Sequence, residues 1–384
     1  MISALLLLMN PSSPTELRDF LRKPNPAFHW EEKSRKGDLV EIKMTSQKWQ
    51  GADWKHDLVI ANPPVRKGTS AILYVTGDRV DRADLPFMRS VAKQAKMPVV
   101  GFFGIPNQPL YEMEEDALIA YTFGKYLETG DASWPLLFPM TKASLAAMDA
   151  AQQWSKGGIK DFVVFGASKR GWTTWLAGVS GDKRIKGIAP AVFDNLNFAA
   201  QLKHQLASWG KYSEMIADYT ESGLIELLES EPGKTLARMT DPYSYLVDLK
   251  VPVLIMNGAN DRYWTVDAHG LYLDAIKTPK WLSIVPNSGH SISDPQVAST
   301  LAFFARACVG TIPGGLPKAT DKRQKEKQTW SATSKTLDFR DSTWKPRKGE
   351  PKENEATFTS ITLEADGVRG VFSSPVVVSR TGNE

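Results

Sequence analysis

The sequence predicts an α/β fold, a mostly parallel sheet with helices on both faces, and three observations carry that expectation. Short apolar runs suited to strands alternate with longer amphipathic stretches suited to helices. The run Val251-Pro-Val-Leu-Ile-Met has no polar alternation, as expected of a strand buried on both faces. No internal repeat is present, so a single layered sheet accounts for the pattern better than a solenoid or propeller.

Taken in order, an entry segment occupies residues 1–37, and residues 38–311 form the main domain. Two strands are expected at Gly37–Ser46 and Lys55–Asn62, ended by Pro63-Pro64. The strand Ala71–Val75, a helix near Asp84–Ala95 and the strand Pro98–Phe103 follow. A long connection then carries helices at Met113–Tyr126 and Thr141–Ser155. Residues 161–171, Asp-Phe-Val-Val-Phe-Gly-Ala-Ser-Lys-Arg-Gly, read as a buried strand running into a sharp turn with Ser168 at its tip. In an α/β-hydrolase such a turn holds the nucleophile, because a strained strand-to-helix backbone lifts Oγ clear of the sheet. Gly166 stands two residues before the serine, as the motif requires. The second glycine is displaced by one residue, from position 170 to Gly171.

The order of the remaining residues supports this reading, since an α/β-hydrolase presents serine, then acid, then histidine on successive strand ends. The Val251 run ends in Asn-Gly-Ala-Asn and delivers Asp261. Lys280–Val285 is the next strand, and Pro-Asn-Ser-Gly after it delivers His290. With an ordinary pKa of about 6.5, a histidine accepts the serine proton at neutral pH and returns it to the leaving group. Asp261 would fix the imidazole tautomer, with Asp194 and Asp267 as alternative acids. The oxyanion hole needs two backbone N–H groups, expected from Lys169 at the start of the following helix and from Asp78 in the loop Thr76-Gly77-Asp78-Arg79. Lys169 and Arg170 are a basic pair that either holds a substrate anion or forms a solvated face, and Arg170 is a candidate substrate contact.

Between the strand Ile185–Phe193 and the acid-bearing strand, residues 195–248 turn helical and rich in aromatics, as in a lid over the catalytic mouth. Trp209, Tyr212, Tyr219 and Tyr243 suit an aromatic-lined pocket, and Trp209 and Tyr243 are expected to touch substrate. After Thr311 the character changes. Residues 312–384 begin with a Pro- and Gly-rich linker, and 316–352 hold eleven Lys or Arg against five Asp or Glu. Lys327–Ala332, Lys335–Arg340, Ala356–Glu364 and Val368–Val378 alternate as strands of a small, basic, antiparallel appendage. Its charge suits either a solvated face or contact with acidic glycans or a membrane surface.

Composition sets limits. A net charge of +4 with 42% hydrophobic and 23% charged residues describes an ordinary globular chain and gives no reason to expect a nucleic-acid partner. Nucleotide, Walker and zinc signatures are missing, so neither cofactor nor metal is expected. The single Cys308 cannot form an internal disulfide and is expected to pack at a helix end. Ile2–Met9 is similar to the apolar core of a secretory signal, though without a basic leader or a small-residue cleavage site; with a single cysteine either compartment fits, and a secreted or periplasmic location is favoured slightly over a cytoplasmic one.

Several blocks together resemble the PhoPQ-activated pathogenicity-related proteins. They are Met44-Thr-Ser-Gln-Lys-Trp49 with Trp54-Lys-His56, Trp134-Pro-Leu-Leu-Phe-Pro-Met140, Gly166-Ala-Ser-Lys-Arg-Gly-Trp172, Asp241-Pro-Tyr243, Asn257-Gly-Ala-Asn-Asp261, Val285-Pro-Asn-Ser-Gly-His290 and Asp338-Phe-Arg340. The resemblance spans roughly residues 15–345. It implies an α/β-hydrolase-like, often exported protein with its triad on Ser168, Asp261 and His290. The residues alone lead to a serine hydrolase acting through an acyl-enzyme on a carboxylic ester or short peptide. The alternative is a binding or signalling protein that keeps the fold with an idle site.

Overall fold

The computed structural model describes residues 12–63, 66–77, 79–80, 84–318, 320–349 and 352–379. The Ile2–Met9 stretch and Asp78 lie outside the described residues. After α1 (Glu16–Arg22), three antiparallel strands form one wing of the sheet: β1 (His29–Lys36), β2 (Leu39–Trp49) and β3 (Ala52–Ala61). The β2–β3 hairpin closes through Gln50-Gly51, whose φ values of 47° and 83° have the handedness that matches strand twist. β1 falls within the expected entry segment. Its sequence, His-Trp-Glu-Glu-Lys-Ser-Arg-Lys, is almost wholly exposed and polar, as suits an edge strand, and so it carries no apolar signal.

The central elements follow as β4 (Thr69–Val75), α2 (Asp84–Ala95), β5 (Val99–Phe103), α3 (Glu115–Thr129), α4 (Leu137–Trp154), β6 (Ile159–Ala167), α5 (Lys169–Gly178) and β7 (Ile185–Ala191). Four helices, α6 (Phe198–Trp209), α7 (Ala217–Thr220), α8 (Leu224–Leu227) and α9 (Glu231–Thr240), intervene before β8 (Val253–Gly258) and β9 (Lys280–Val285). The strands β5-β4-β6-β7-β8-β9 are parallel, and β3 joins β5 antiparallel. The parallel strands are largely apolar and buried on both sides because both faces are covered, whereas β3 alternates exposed Asp53 and Lys55 with buried Trp54 and His56. Residues of α3, α4 and α5 pack one core around Phe138, Phe162 and Trp175. On the other face α2 and α10 (Pro295–Cys308) pack around Met88, Phe165, Phe303 and Phe304. Cys308 ends α10, where burial pushes its thiol well up.

The C-terminal strands are antiparallel and continue the same sheet. β10 (Gln324–Thr333), β11 (Lys345–Pro346), β12 (Glu355–Ala365), β13 (Val368–Ser373) and β14 (Val377–Ser379) attach through β13, where Ser373 pairs with Leu282 of β9. Leu363, Val368 and Phe372 belong to the same core as α10, and the Phe303 and Phe372 rings lie 5.6 Å apart. The expected strand Lys335–Arg340 is instead a loop. Arg340 folds back on Asp338 at 2.6 Å, and the chain buries Phe339, so local ion pairing replaces a ladder. The expected strand Val368–Val378 is broken between β13 and β14 around Pro375.

Candidate active site

Ser168 separates β6 from α5 with φ 57° and ψ −128°, a conformation that costs a non-glycine residue of order 1–3 kcal/mol. Its N–H donates to the Ala191 carbonyl of β7 at 2.9 Å, which ties the strained turn to the sheet. The displaced glycine has a steric cause. A Cβ at Gly166 would stand 2.5 Å from the Arg170 carbonyl oxygen, and one at Gly171 would stand 2.9 Å from the Ala191 carbonyl oxygen and from Phe193 Cβ. The close approach of α5 to β7 therefore falls at position 171. Position 170 instead carries a side chain that is used.

That side chain is neither solvated nor free for substrate. Arg170 is buried, donates to the Ile105 carbonyl at 2.5 Å, and forms a forked pair with Glu115 at 2.8 and 2.5 Å. Lys169 Nζ lies 2.7 Å from Asp116 and 3.2 Å from Glu115. The expected solvated basic face is thus an ion-pair cluster with the first two residues of α3. Burial disfavours the Lys169 ammonium, but the Asp116 carboxylate outweighs it and raises the lysine pKa. Burial likewise opposes ionisation of Glu115, and Arg170 outweighs it, pulling that carboxyl down to about 2.

Asp261 and His290 meet. His290 Nδ1 donates to Asp261 Oδ2 at 2.8 Å, and the second oxygen, Oδ1, accepts the Tyr263 N–H at 2.9 Å. The Tyr263 ring lies 4.2 Å from the imidazole and sets its plane. His290 Nε2 is buried and makes no hydrogen bond to the described residues, so it is left as an acceptor. The alternative acids are occupied elsewhere. Asp194 accepts from the Tyr272 hydroxyl at 2.5 Å, and Asp267 pairs with His204 at 2.8 Å.

Two features hold these loops, and neither was read from the sequence. A Cβ at Gly258, at the end of β8, would stand 2.2 Å from the Gly289 carbonyl oxygen, so only glycine lets the acid-bearing strand and the histidine loop approach. The second is the stretch 339–344. Asn260 Nδ2 donates to the carbonyls of Phe339, Arg340 and Ser342 at 3.2, 3.1 and 2.7 Å. Asn287 exchanges two hydrogen bonds with the Trp344 backbone at 2.9 and 2.7 Å. The C-terminal region thereby braces the acid loop and the histidine loop together. The two asparagines stand in the turns that deliver Asp261 and His290, which is the one signal the sequence offered for them.

Ser168 and His290 border two spaces. One is a cleft beneath the helices of 195–248, lined by Trp172, Phe198, Leu224, Leu236 and other apolar side chains. Asp116, Lys169, Tyr219 and Tyr263 supply its polar lining, with the Tyr219 hydroxyl donating to Asp116 at 2.9 Å. The other is an open groove between Thr76-Gly77 and His290–Ser293. Lys169 is the first residue of α5, so its N–H has no intrahelical carbonyl. Thr76 N–H is spent on the Phe102 carbonyl at 2.9 Å and is not free to act as a second donor. Trp209 and Tyr243 do not border the cleft. Trp209 lies under the Arg340 guanidinium, 4.0 Å from ring to cation, and Tyr243 is exposed. Among the described residues, no group of three or more His, Cys, Asp or Glu side chains is placed to hold a metal ion.

A mostly parallel sheet with helices on both faces and a helical insertion between β7 and β8 defines an α/β-hydrolase fold. Solved structures agree. An acetyl xylan esterase from Paenibacillus sp. R4 superposes with a TM-score of 0.56 at 13% identity, covering 77% of this chain and 95% of that one. Acetyl xylan esterase 1 from Thermoanaerobacterium sp. superposes with a TM-score of 0.52 at 14% identity, covering 73% and 90%. The chain belongs to the PhoPQ-activated pathogenicity-related protein family, whose pattern matches residues 17–342. It is also 32% identical over 343 residues to autocrine proliferation repressor protein A of Dictyostelium discoideum, covering 82% of this chain and 69% of that protein.

Proposed function

We propose that the protein is a serine hydrolase that cleaves a carboxylic ester or short peptide through an acyl-enzyme. The observation that carries this reading is the strained Ser168 turn bordering the same cleft as a His290 whose Nδ1 is bound by Asp261 and whose Nε2 makes no hydrogen bond among the described residues. Nε2 accepts the Ser168 hydroxyl proton as Oγ attacks the carbonyl carbon. The carbonyl oxygen becomes an anion stabilised by the Lys169 N–H, by a second N–H from the turn after β4 and by the positive end of α5. Protonated Nε2 gives its proton to the departing oxygen or nitrogen, and the acyl group stays on Oγ. Water then attacks the acyl carbon, losing its proton to Nε2, which returns it to the departing Ser168 Oγ as the acid is released.

Asp261 stabilises the imidazolium throughout without taking its proton. Family membership and fold are compatible with this chemistry, and at 13–14% identity the esterase neighbours contribute the fold alone. The test is hydrolysis of a panel of activated esters and peptide amides by wild type and Ser168→Ala. Turnover by wild type and its loss by on the order of 10⁴-fold in the variant, with an unchanged melting temperature, is the expected result. Equal turnover by both proteins would sink the mechanism.

A further inference from the structure

The two spaces beside Ser168 differ in a way that assigns the two halves of a substrate, given that Ser168 is the nucleophile. The open groove is bordered by four consecutive residues of the histidine loop, His290–Ser293, and by the turn after β4. The group protonated by Nε2 must leave before water enters, and this groove gives both a path. The cleft under α6–α9 is the more covered and more apolar of the two. Its floor is Trp172, one turn along α5 from the serine, stacked on Phe193 at 5.2 Å. Leu224, Leu228 and, from α9, Leu236 and Ala237 also line it. A pocket with this lining takes an apolar group, since such walls desolvate polar atoms without replacing their hydrogen bonds.

The charges on and beside the cleft lining argue against an anionic group. The Lys169 ammonium is the cation nearest the serine in sequence, and it is held by both Asp116 and Glu115. Arg170 is held by Glu115. Two cations facing two carboxylates leave no net positive charge to bind an acid. We infer that the cleft is an acyl pocket selecting a bulky apolar acyl group, a medium-chain aliphatic or an arylalkyl one, with the polar part of the substrate left in the open groove as the leaving group.

The test is a series of p-nitrophenyl esters from acetyl through butyryl and hexanoyl to octanoyl, with fluorophosphonate labelling of Ser168 run alongside. Full burial of a methylene is worth about fourfold at 0.8 kcal/mol, so even partial burial makes kcat/KM for octanoate at least roughly tenfold that for acetate. Ala237→Trp fills the cleft from α9 and lowers the octanoyl-to-acetyl ratio at least about tenfold. Ala237→Leu, a smaller change for the event that the tryptophan prevents folding, lowers it in part. Labelling of Ser168 together with a flat or falling chain-length series, or with a ratio unmoved by both variants, overturns the acyl-pocket assignment and leaves the nucleophile in place. Neither labelling nor hydrolysis would remove the nucleophile, and the pocket assignment with it.

Discussion

Replacing Gly258 by alanine tests whether the site depends on the contact between the acid-bearing strand and the histidine loop. The new Cβ would stand 2.2 Å from the Gly289 carbonyl oxygen and 2.4 Å from that of Ser288, where ordinary contact begins at 3.4 Å. Both obstacles are backbone, so the loop must retreat by about 1.2 Å, the difference between 3.4 and 2.2 Å. His290 follows Gly289 directly. A shift of that size takes Nδ1 from 2.8 Å to beyond hydrogen-bond range of Asp261. Misplacement by about 1 Å costs on the order of 10²-fold in rate, and overpacking costs about 1–3 kcal/mol of stability. The expected result for Gly258→Ala is therefore a roughly 100-fold loss of kcat in ester hydrolysis with a moderately lowered melting temperature. Gly124→Ala is the control. That glycine is inside α3 with nothing within 4 Å of its Cβ position, and alanine there leaves activity intact and adds about 0.4–1 kcal/mol of stability. A Gly258→Ala protein with kcat within about threefold of wild type would refute the reasoning, since a loop able to yield that far without loss does not position the base.

Asp261→Asn lowers kcat by about 10³–10⁴ with little change in KM, because the imidazole is left in the wrong tautomer, whereas Asp194→Asn lowers stability and spares kcat since Asp194 serves Tyr272; steady-state kinetics on both variants separate the two acids. Asn287→Ala removes both bonds to Trp344 and lowers kcat about tenfold, with a wild-type rate in the same assay counting against the brace. Trp209→Ala costs about 1–2 kcal/mol through the lost contact with Arg340 and leaves the ranking among acyl esters unchanged. Glu115 has its carboxyl held down at about 2 against an ordinary 4.5, so its contribution is fully present above pH 4.5 and is lost as pH falls through about 2. With the side chain 36% exposed, solvent screening reduces that contribution to about 1–2 kcal/mol, and Glu115→Gln should flatten this part of a stability-versus-pH curve measured by urea unfolding.

The part of the fold written most plainly in the sequence is the part that is buried on both faces. Strands such as β6 and β8 are uninterrupted apolar runs, and the turns after them carry the serine and the acid in small, turn-forming residues. β1 escaped because an exposed edge strand needs no apolar face. The loop at Lys335–Arg340 has the polar–apolar alternation of a strand, but the Asp338–Arg340 pair and the asparagine contacts to its carbonyls satisfy it without a ladder. Lys169 and Arg170 show the limit for charges. Their partners lie more than 50 residues earlier, at Glu115 and Asp116, and nothing local distinguishes a basic pair that is solvated from one that is neutralised. Trp209 shows the same for aromatics, since composition places a ring in the lid without saying which face it takes.

The most direct measurement is the location of a covalent adduct. The intact protein treated with a fluorophosphonate gains one phosphonyl group, and peptide mapping by mass spectrometry finds it on Ser168. Labelling slows with Asp261→Asn and disappears with Ser168→Ala while the melting temperature holds. An adduct on another residue, or none on a folded wild-type protein that nonetheless hydrolyses esters, would contradict the assignment of Ser168 as the nucleophile.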